Sequence, residues 1–188
     1  MRSALIIACL LTACSGAPRA DTAPEVAARW NQRPEAGAWN DAMMQALMTD
    51  GAAMVQAVPG DVESFCPGYQ AATPHERAAF YVAFFSGLAR FESTWNPRAS
   101  GGGGAYRGLM QISPATARFH DCDLPAEGLY DGAANLACAV RIATVSVARD
   151  GVLSAGRGGF AADWPPMRDA AHRREVAEFT RALPQCRT

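Results

Sequence analysis

Phe91-Glu92-Ser93-Thr94-Trp95-Asn96-Pro97, followed by Gly108-Leu109-Met110-Gln111-Ile112-Ser113-Pro114-Ala115-Thr116-Ala117, decides how this chain is read. The first segment sets one carboxylic acid, Glu92, at the end of an apolar helix. The Asn96-Pro97 step bars the helix from continuing, because a residue before proline avoids helical backbone. An acid near a helix C-terminus feels the negative end of the macrodipole, and flanking Phe91 and Trp95 draw water away from it. Both effects favour the protonated form, which makes Glu92 a candidate proton donor near neutral pH. The blander reading of the residue by itself is an exposed glutamate ending a helix and pairing with Arg90 or Arg98.

Working outward, the helix that carries Glu92 starts at Thr73-Pro74-His75-Glu76. Thr73 can cap, Pro74 suits the first helical position, and Glu76 completes a capping box. Phe80, Phe84, Leu88 and Phe91 then recur at helical spacing, and Tyr81 and Phe85 widen the apolar face until the helix reads as almost wholly buried. Downstream, Gly101-Gly102-Gly103-Gly104 reads as a loop, Ser113-Pro114 starts a short helix, and Asp131 caps a long one through Leu136, Val140, Ala143 and Val147 to Asp150-Gly151. After a glycine-rich break from Gly156 to Gly159, Asp169 opens a last helix through Val176, Phe179 and Leu183. Upstream, Trp39, Met43, Leu47, Val55 and Val58 lie near one stripe that Pro59-Gly60 ends. Residues 59–72 read as irregular. The fold class is mainly α, in one domain spanning 38–188, and the strand candidate is a small irregular hairpin around 99–112.

The N-terminus is read as processing signal rather than fold. Arg2 precedes the apolar run Ala4–Leu11, which is too short to span a bilayer. Leu11-Thr12-Ala13-Cys14 then looks like a bacterial lipobox, with residues 1–13 removed and Cys14 acylated. An ordinary signal peptide cut after Ala17 or Ala20 is the alternative. Residues 14–37, rich in Ala, Pro, Gly and Arg, are expected to be a tether. Export makes the remaining cysteines an even set of Cys66, Cys122, Cys138 and Cys186, which reads as two disulfides. Of three pairings, the expected one is Cys122–Cys138, closing a short loop, with Cys66–Cys186 tying the C-terminus to the body. Paired C-x-x-C spacings that would suggest zinc are lacking, and His75, His120 and His172 are scattered, so no metal site is expected. With 17 basic against 18 acidic residues and a net charge of −1, the chain has no sign of a nucleic-acid partner.

Glu92-Ser93, Asn96-Pro97, Ala99, Gly104-Ala105, Gly108-Leu109-Met110-Gln111-Ile112, Pro114 and Thr116-Ala117, with Asp131, Asn135 and Leu136 after them, agree in order and approximate spacing with a known pattern. Over residues 73–150 the chain resembles the lytic transglycosylases of the lysozyme superfamily, the soluble-lytic-transglycosylase-like domain. The resemblance implies a lysozyme-like helical fold and a peptidoglycan substrate, cut between N-acetylmuramic acid and N-acetylglucosamine without cofactor. It makes Glu92 the catalytic acid and Gln111 a substrate-binding amide, with Met110, Ser93 and Asn96 shaping the cleft. Two features depart from the family. The stretch between Asn96-Pro97 and Gly108 is one residue longer than is usual in the family, and the downstream A-Y-N-A-G segment with its tyrosine is missing. Gly158–Pro166 takes that slot, where Trp164 is a candidate aromatic wall, and Tyr106 and Tyr130 are candidate substitutes for the phenol. A second carboxylate, of the kind most glycosidases use, would have to come from Asp121, Asp123 or Asp131. Asp131 already reads as a cap. Goose-type hydrolysis and a catalytically weak wall-binding lipoprotein stay open beside transglycosylation. A monomer is expected, lipid-anchored at the outer membrane and facing the periplasm. Its task is left open between wall turnover and making a passage for an envelope-spanning machine.

Overall fold

A computed structural model describes residues 26–187. Seven helices occur among them: α1 (Ala36–Met48), α2 (Ala52–Gln56), α3 (Pro74–Ser93), α4 (Pro114–Phe119), α5 (Gly132–Asp150), α6 (Phe160–Asp163) and α7 (Ala170–Arg181). Strands β1 (Ser100–Gly101) and β2 (Tyr106–Arg107) form one antiparallel hairpin, with Ser100 opposite Arg107 and Gly101 opposite Tyr106. An isolated bridge between Arg107 and Ile112 extends it, so the strand structure falls within the expected 99–112 stretch. The fold is mainly α, as the sequence indicated.

Helix α3 is the axis of the domain. Its start is the expected capping box: Thr73 Oγ1 accepts from Glu76 N, and the Glu76 carboxylate accepts from Thr73 N at 2.8 Å. From Ala78 to Ala89 only Ala79 escapes burial, so α3 is packed on nearly every side. Phe160, from α6, inserts its ring against Phe84 and Phe85 at centroid distances of 4.6 and 4.9 Å. Helix α7 packs on α3, closely enough that a Cβ at Gly87 would sit 3.1 Å from Val176. The remaining caps are also as expected, with Ser113 opening α4, Asp131 opening α5 and Asp169 opening α7.

The structure corrects three boundaries. Residues 26–37 are not a tether: Trp30 is fully buried, packs edge-on to Trp39 at 5.8 Å and donates Nε1–H to Asn40. The indole needs a dry pocket and a polar partner, and α1 supplies both. The leader, Cys14 and the rest of the expected tether lie outside the described residues. The stripe from Trp39 to Val58 is two helices rather than one, because the chain turns at Thr49-Asp50-Gly51. A Cβ on Gly51 would meet Val140 of α5 at 2.7 Å and the Leu47 backbone at 2.9 Å. Val58 is half exposed. Leu183 is buried but lies beyond the end of α7.

Both expected cysteine pairs are bonded. Cys66–Cys186 joins the segment before α3 to the C-terminal end, with Cα atoms 4.4 Å apart. Cys122–Cys138 ties the loop after α4 to α5, with Cα atoms 5.4 Å apart. No helix among the described residues is long and apolar enough to cross a membrane.

Candidate active site

Glu92 lies in the last turn of α3, one residue before the helix ends. Its Oε1 is buried and has no hydrogen-bond partner. Burial pushes the Glu92 carboxyl up to about 7, since removing water penalises the charged form. The cation beside it in sequence, Arg90, is engaged by Glu175, which also pairs with Arg29. Neither Arg90 nor Arg98 forms an ion pair with Glu92, and the exposed ion-paired reading of this residue is set aside.

The chain leaves Glu92 through an unusual turn. Thr94 and Trp95 both adopt left-handed backbone, with φ of 51° and 58°, a conformation that costs non-glycine residues of order 1 kcal/mol or more each. The turn is held because Trp95 folds back and donates its Nε1–H to Ser86 O at 2.8 Å. That places the half-buried indole against the core beneath the helix end. Asn96 Oδ1 accepts from Arg98 N, an Asx turn that launches the chain toward the hairpin. Ser93 Oγ donates back to Ala89 O. Ser93 and Asn96 thus shape the helix exit, as braces.

The second motif block turns out to be a clamp. Gln111 is also left-handed, with φ 47°. Its Nε2 donates to Ala99 O at 3.2 Å and Gly108 O at 2.8 Å, which uses both amide hydrogens. Its Oε1 lies against Gly101, where a side chain on that residue would collide with it. Gly108 has φ 79° and approaches Leu129 O and Asn135 too closely for any Cβ. Gln111 thereby fixes the hairpin to the segment leaving Glu92. Gln111, expected as a substrate-binding amide, spends both of its amide hydrogens on backbone.

Two further expected site residues lie in the interior. Met110 is fully buried, as is Trp164 to 4 %. The Trp164 indole donates to Met110 O at 3.0 Å and meets Phe85 edge-on. Both side chains belong to the core, where an apolar body with one hydrogen-bonding group is well accommodated, and neither forms a cleft wall. Tyr106, in contrast, is half exposed on β2, with its ring over Gly102. Tyr130 is engaged by the Arg107 guanidinium, 5.5 Å above its ring. Asp131 is an exposed cap that accepts from Ala134 N at 2.8 Å, while Asp121 and Asp123 are exposed in the loop around Cys122.

The residue whose role the sequence did not disclose is Asn135. It is fully buried and saturated: Oδ1 accepts from Met110 N at 2.9 Å, and Nδ2 donates to Arg107 O and Leu129 O at 3.0 Å. Its signal was present in the Asp131-x-x-x-Asn135 spacing, which sets an amide one turn inside α5, facing the glycine turn.

A helical lysozyme-like fold with one buried, unpartnered acid in the last turn of its central helix is the class that fold and site define. Residues 74–144, from the start of α3 into α5, match the family model described as Transglycosylase SLT domain. No curated protein matches the chain. Among solved structures it is similar to Bd0314 DslA wild-type form 2, at 24 % identity and a TM-score of 0.78, over 86 % of this chain and 98 % of that one. A DslA mutant with a glutamate changed to glutamine aligns at 25 % identity and a TM-score of 0.78, over 85 % and 97 %. These likenesses show the fold.

Proposed function

We propose that this protein is a peptidoglycan lytic transglycosylase that cleaves the β-1,4 bond between N-acetylmuramic acid and N-acetylglucosamine and leaves 1,6-anhydro ends. The observation that carries this reading is Glu92, whose buried, partnerless carboxyl keeps its proton up to about pH 7. Such a group protonates the glycosidic oxygen as the bond to C1 breaks. The acetamido oxygen of the same sugar attacks C1 from the opposite face. Glu92, now a carboxylate, takes the proton from the C6 hydroxyl, whose oxygen closes on C1 and releases the acetamido group. The carboxylate is returned to its acid form, and no second enzyme carboxylate is required. Half-exposed Tyr106 is the aromatic group on the hairpin side that suits contact with a sugar ring.

The same reading includes export, acylation at Cys14 and attachment to the outer membrane on its periplasmic side, supported by the Leu11-Thr12-Ala13-Cys14 pattern. Digestion of purified peptidoglycan by the parent and by Glu92→Gln, with mass spectrometry of the fragment ends, tests the reaction. Anhydro ends from the parent alone are expected. Reducing ends would make the enzyme a goose-type lysozyme, and equal products from both proteins would remove Glu92 from the chemistry.

A further inference from the structure

A surface cavity of about 300 Å³ opens where three segments of the chain meet. The segment before α3 gives it Asp61 and Phe65, the loop after α5 gives Ser154, and α7 gives Arg173, Arg174 and Ala177. Neither Glu92 nor any hairpin residue lines it. Ser154 is its most unusual member, being 1 % exposed with a hydroxyl that has no hydrogen-bond partner. A buried hydroxyl left unpaired costs stability, and this one belongs to the lining of a cavity where a ligand can satisfy it.

Bonds between its sides hold the cavity in shape. Asp61 accepts from the backbone N–H groups of Leu153 and of Ser154, the latter at 2.9 Å. The Thr180 hydroxyl donates to Phe65 O at 2.8 Å, which ties α7 to the same segment. Arg173 Nη1 donates to Met167 O at 2.9 Å, so that guanidinium is anchored while its remaining N–H groups stay available. Among the described residues, Arg174 has no ion-pair partner and Asp61 pairs with neither arginine. Each Asp61 oxygen already accepts from an N–H. What the cavity still offers is donors: two guanidiniums, which cannot accept, and one hydroxyl whose proton has no acceptor.

We infer that this cavity binds the terminal carboxylate of a short peptide with small side chains, held by the Arg173 and Arg174 guanidiniums and the Ser154 hydroxyl. A carboxylate is an acceptor with two oxygens, and its plane matches the guanidinium fork. Charge agrees with a single anionic group. Two arginines against Asp61 leave one positive charge in the lining, which suits a monoanion and disfavours a polyanion such as nucleic acid. Size and surface favour a peptide end over a bare inorganic anion. The volume lies at the lower end of the range for small-molecule sites, and Phe65 and Ala177 add apolar surface that methyl-sized side chains can cover. Identifying the ligand as a stem peptide of the cell wall rests on the proposed function, whereas the cavity's affinity for a peptide carboxylate does not. On that reading the enzyme grips a strand through its peptides as well as at the scissile bond, which raises its effective affinity for peptide-bearing glycan over bare glycan.

The test is an NMR titration of the parent protein with three probes: N-acetyl-D-alanyl-D-alanine, the same dipeptide with its C-terminus amidated, and inorganic phosphate. The acid dipeptide should shift the Ser154 and Ala155 amide signals saturably, and the amide and phosphate should bind at least about 10-fold more weakly. Arg174→Gln, at an exposed position, and Ser154→Ala should each weaken the acid dipeptide by about 3–10-fold. Neither should lower the thermal midpoint, since the hydroxyl removed by Ser154→Ala is unpaired in the unliganded protein. Equal binding of acid and amide, phosphate binding as tightly as the dipeptide, or undiminished affinity in both variants overturns the proposal. Dipeptide binding that depends on Arg174, in a protein that leaves peptidoglycan uncut, would strike the proposed reaction and leave the cavity assignment standing. Cleavage to anhydro ends without any dipeptide binding would do the reverse.

Discussion

Helix α3 carries a glutamate in its first turn and another in its last, and the two have been driven in opposite directions. Glu76 is exposed at the helix start, where the Thr73 backbone and side-chain hydrogen bonds hold its carboxyl below the usual range. Glu92 sits at the other end, where burial raises its carboxyl to about 7. The first end rewards a negative charge with donors and the positive pole of the helix. The second removes water and offers Oε1 no donor. One helix thus makes a structural anion at one end and a carboxyl that holds its proton at the other, and the difference comes from the neighbours, since the side chain is the same.

The largest effect that can break this contrast is on turnover. Glu92→Gln keeps the shape of the side chain and removes the titrating proton, so cleavage of peptidoglycan should drop by roughly 10²–10⁴-fold. The parent's rate should itself fall as pH rises past about 7, where the acid is consumed.

Stability should show the same asymmetry. Glu92 ionises near 4.5 when unfolded and near 7 when folded, so the folded state holds the extra proton between those values. Stability therefore declines as pH rises through that window, by up to about 3 kcal/mol. Denaturant melts should find Glu92→Gln more stable than the parent at pH 8 by an amount approaching this, and the two equal at pH 4. A parent that loses no stability across the window would contradict the raised value.

The next effect sharpens the contrast by loosening the far wall of the site. Asn135→Ala leaves the buried Met110 N–H without its acceptor and removes two further bonds. It should cost about 2–3 kcal/mol, read as a lower denaturation midpoint.

At the opposite end of α3, Thr73→Ala should cost only about 1 kcal/mol. It should also move Glu76 back toward the ordinary carboxylate range, visible in an NMR titration. The sign is the reverse of that for Glu92: a depressed carboxyl stabilises above its unfolded value, and that contribution is lost on acidification.

These differences explain what was legible in the sequence. Thr73, Ser113, Asp131 and Asp169 act within three residues of themselves, and all four caps were readable. The position of Glu92 at a helix end was readable for the same reason, as was the small hairpin. The hydrogen bonds that fix Trp30, Met110 and Trp164, and the one from Gln111 to Ala99, reach from 10 to 54 residues along the chain, and no local pattern encodes that. Gln111 is the instructive instance, since an amide in a motif was expected to face substrate, yet the left-handed turn it occupies directs its donors onto Ala99 and Gly108.

The most direct test of the account is a carbon-13 NMR titration of the Glu92 side-chain carboxyl in the folded protein, assigned by comparison with Glu92→Gln. A midpoint near 7 is predicted. A midpoint at or below 4.5 would mean that the carboxyl is charged at neutral pH, and the proton-donor role would be lost with it.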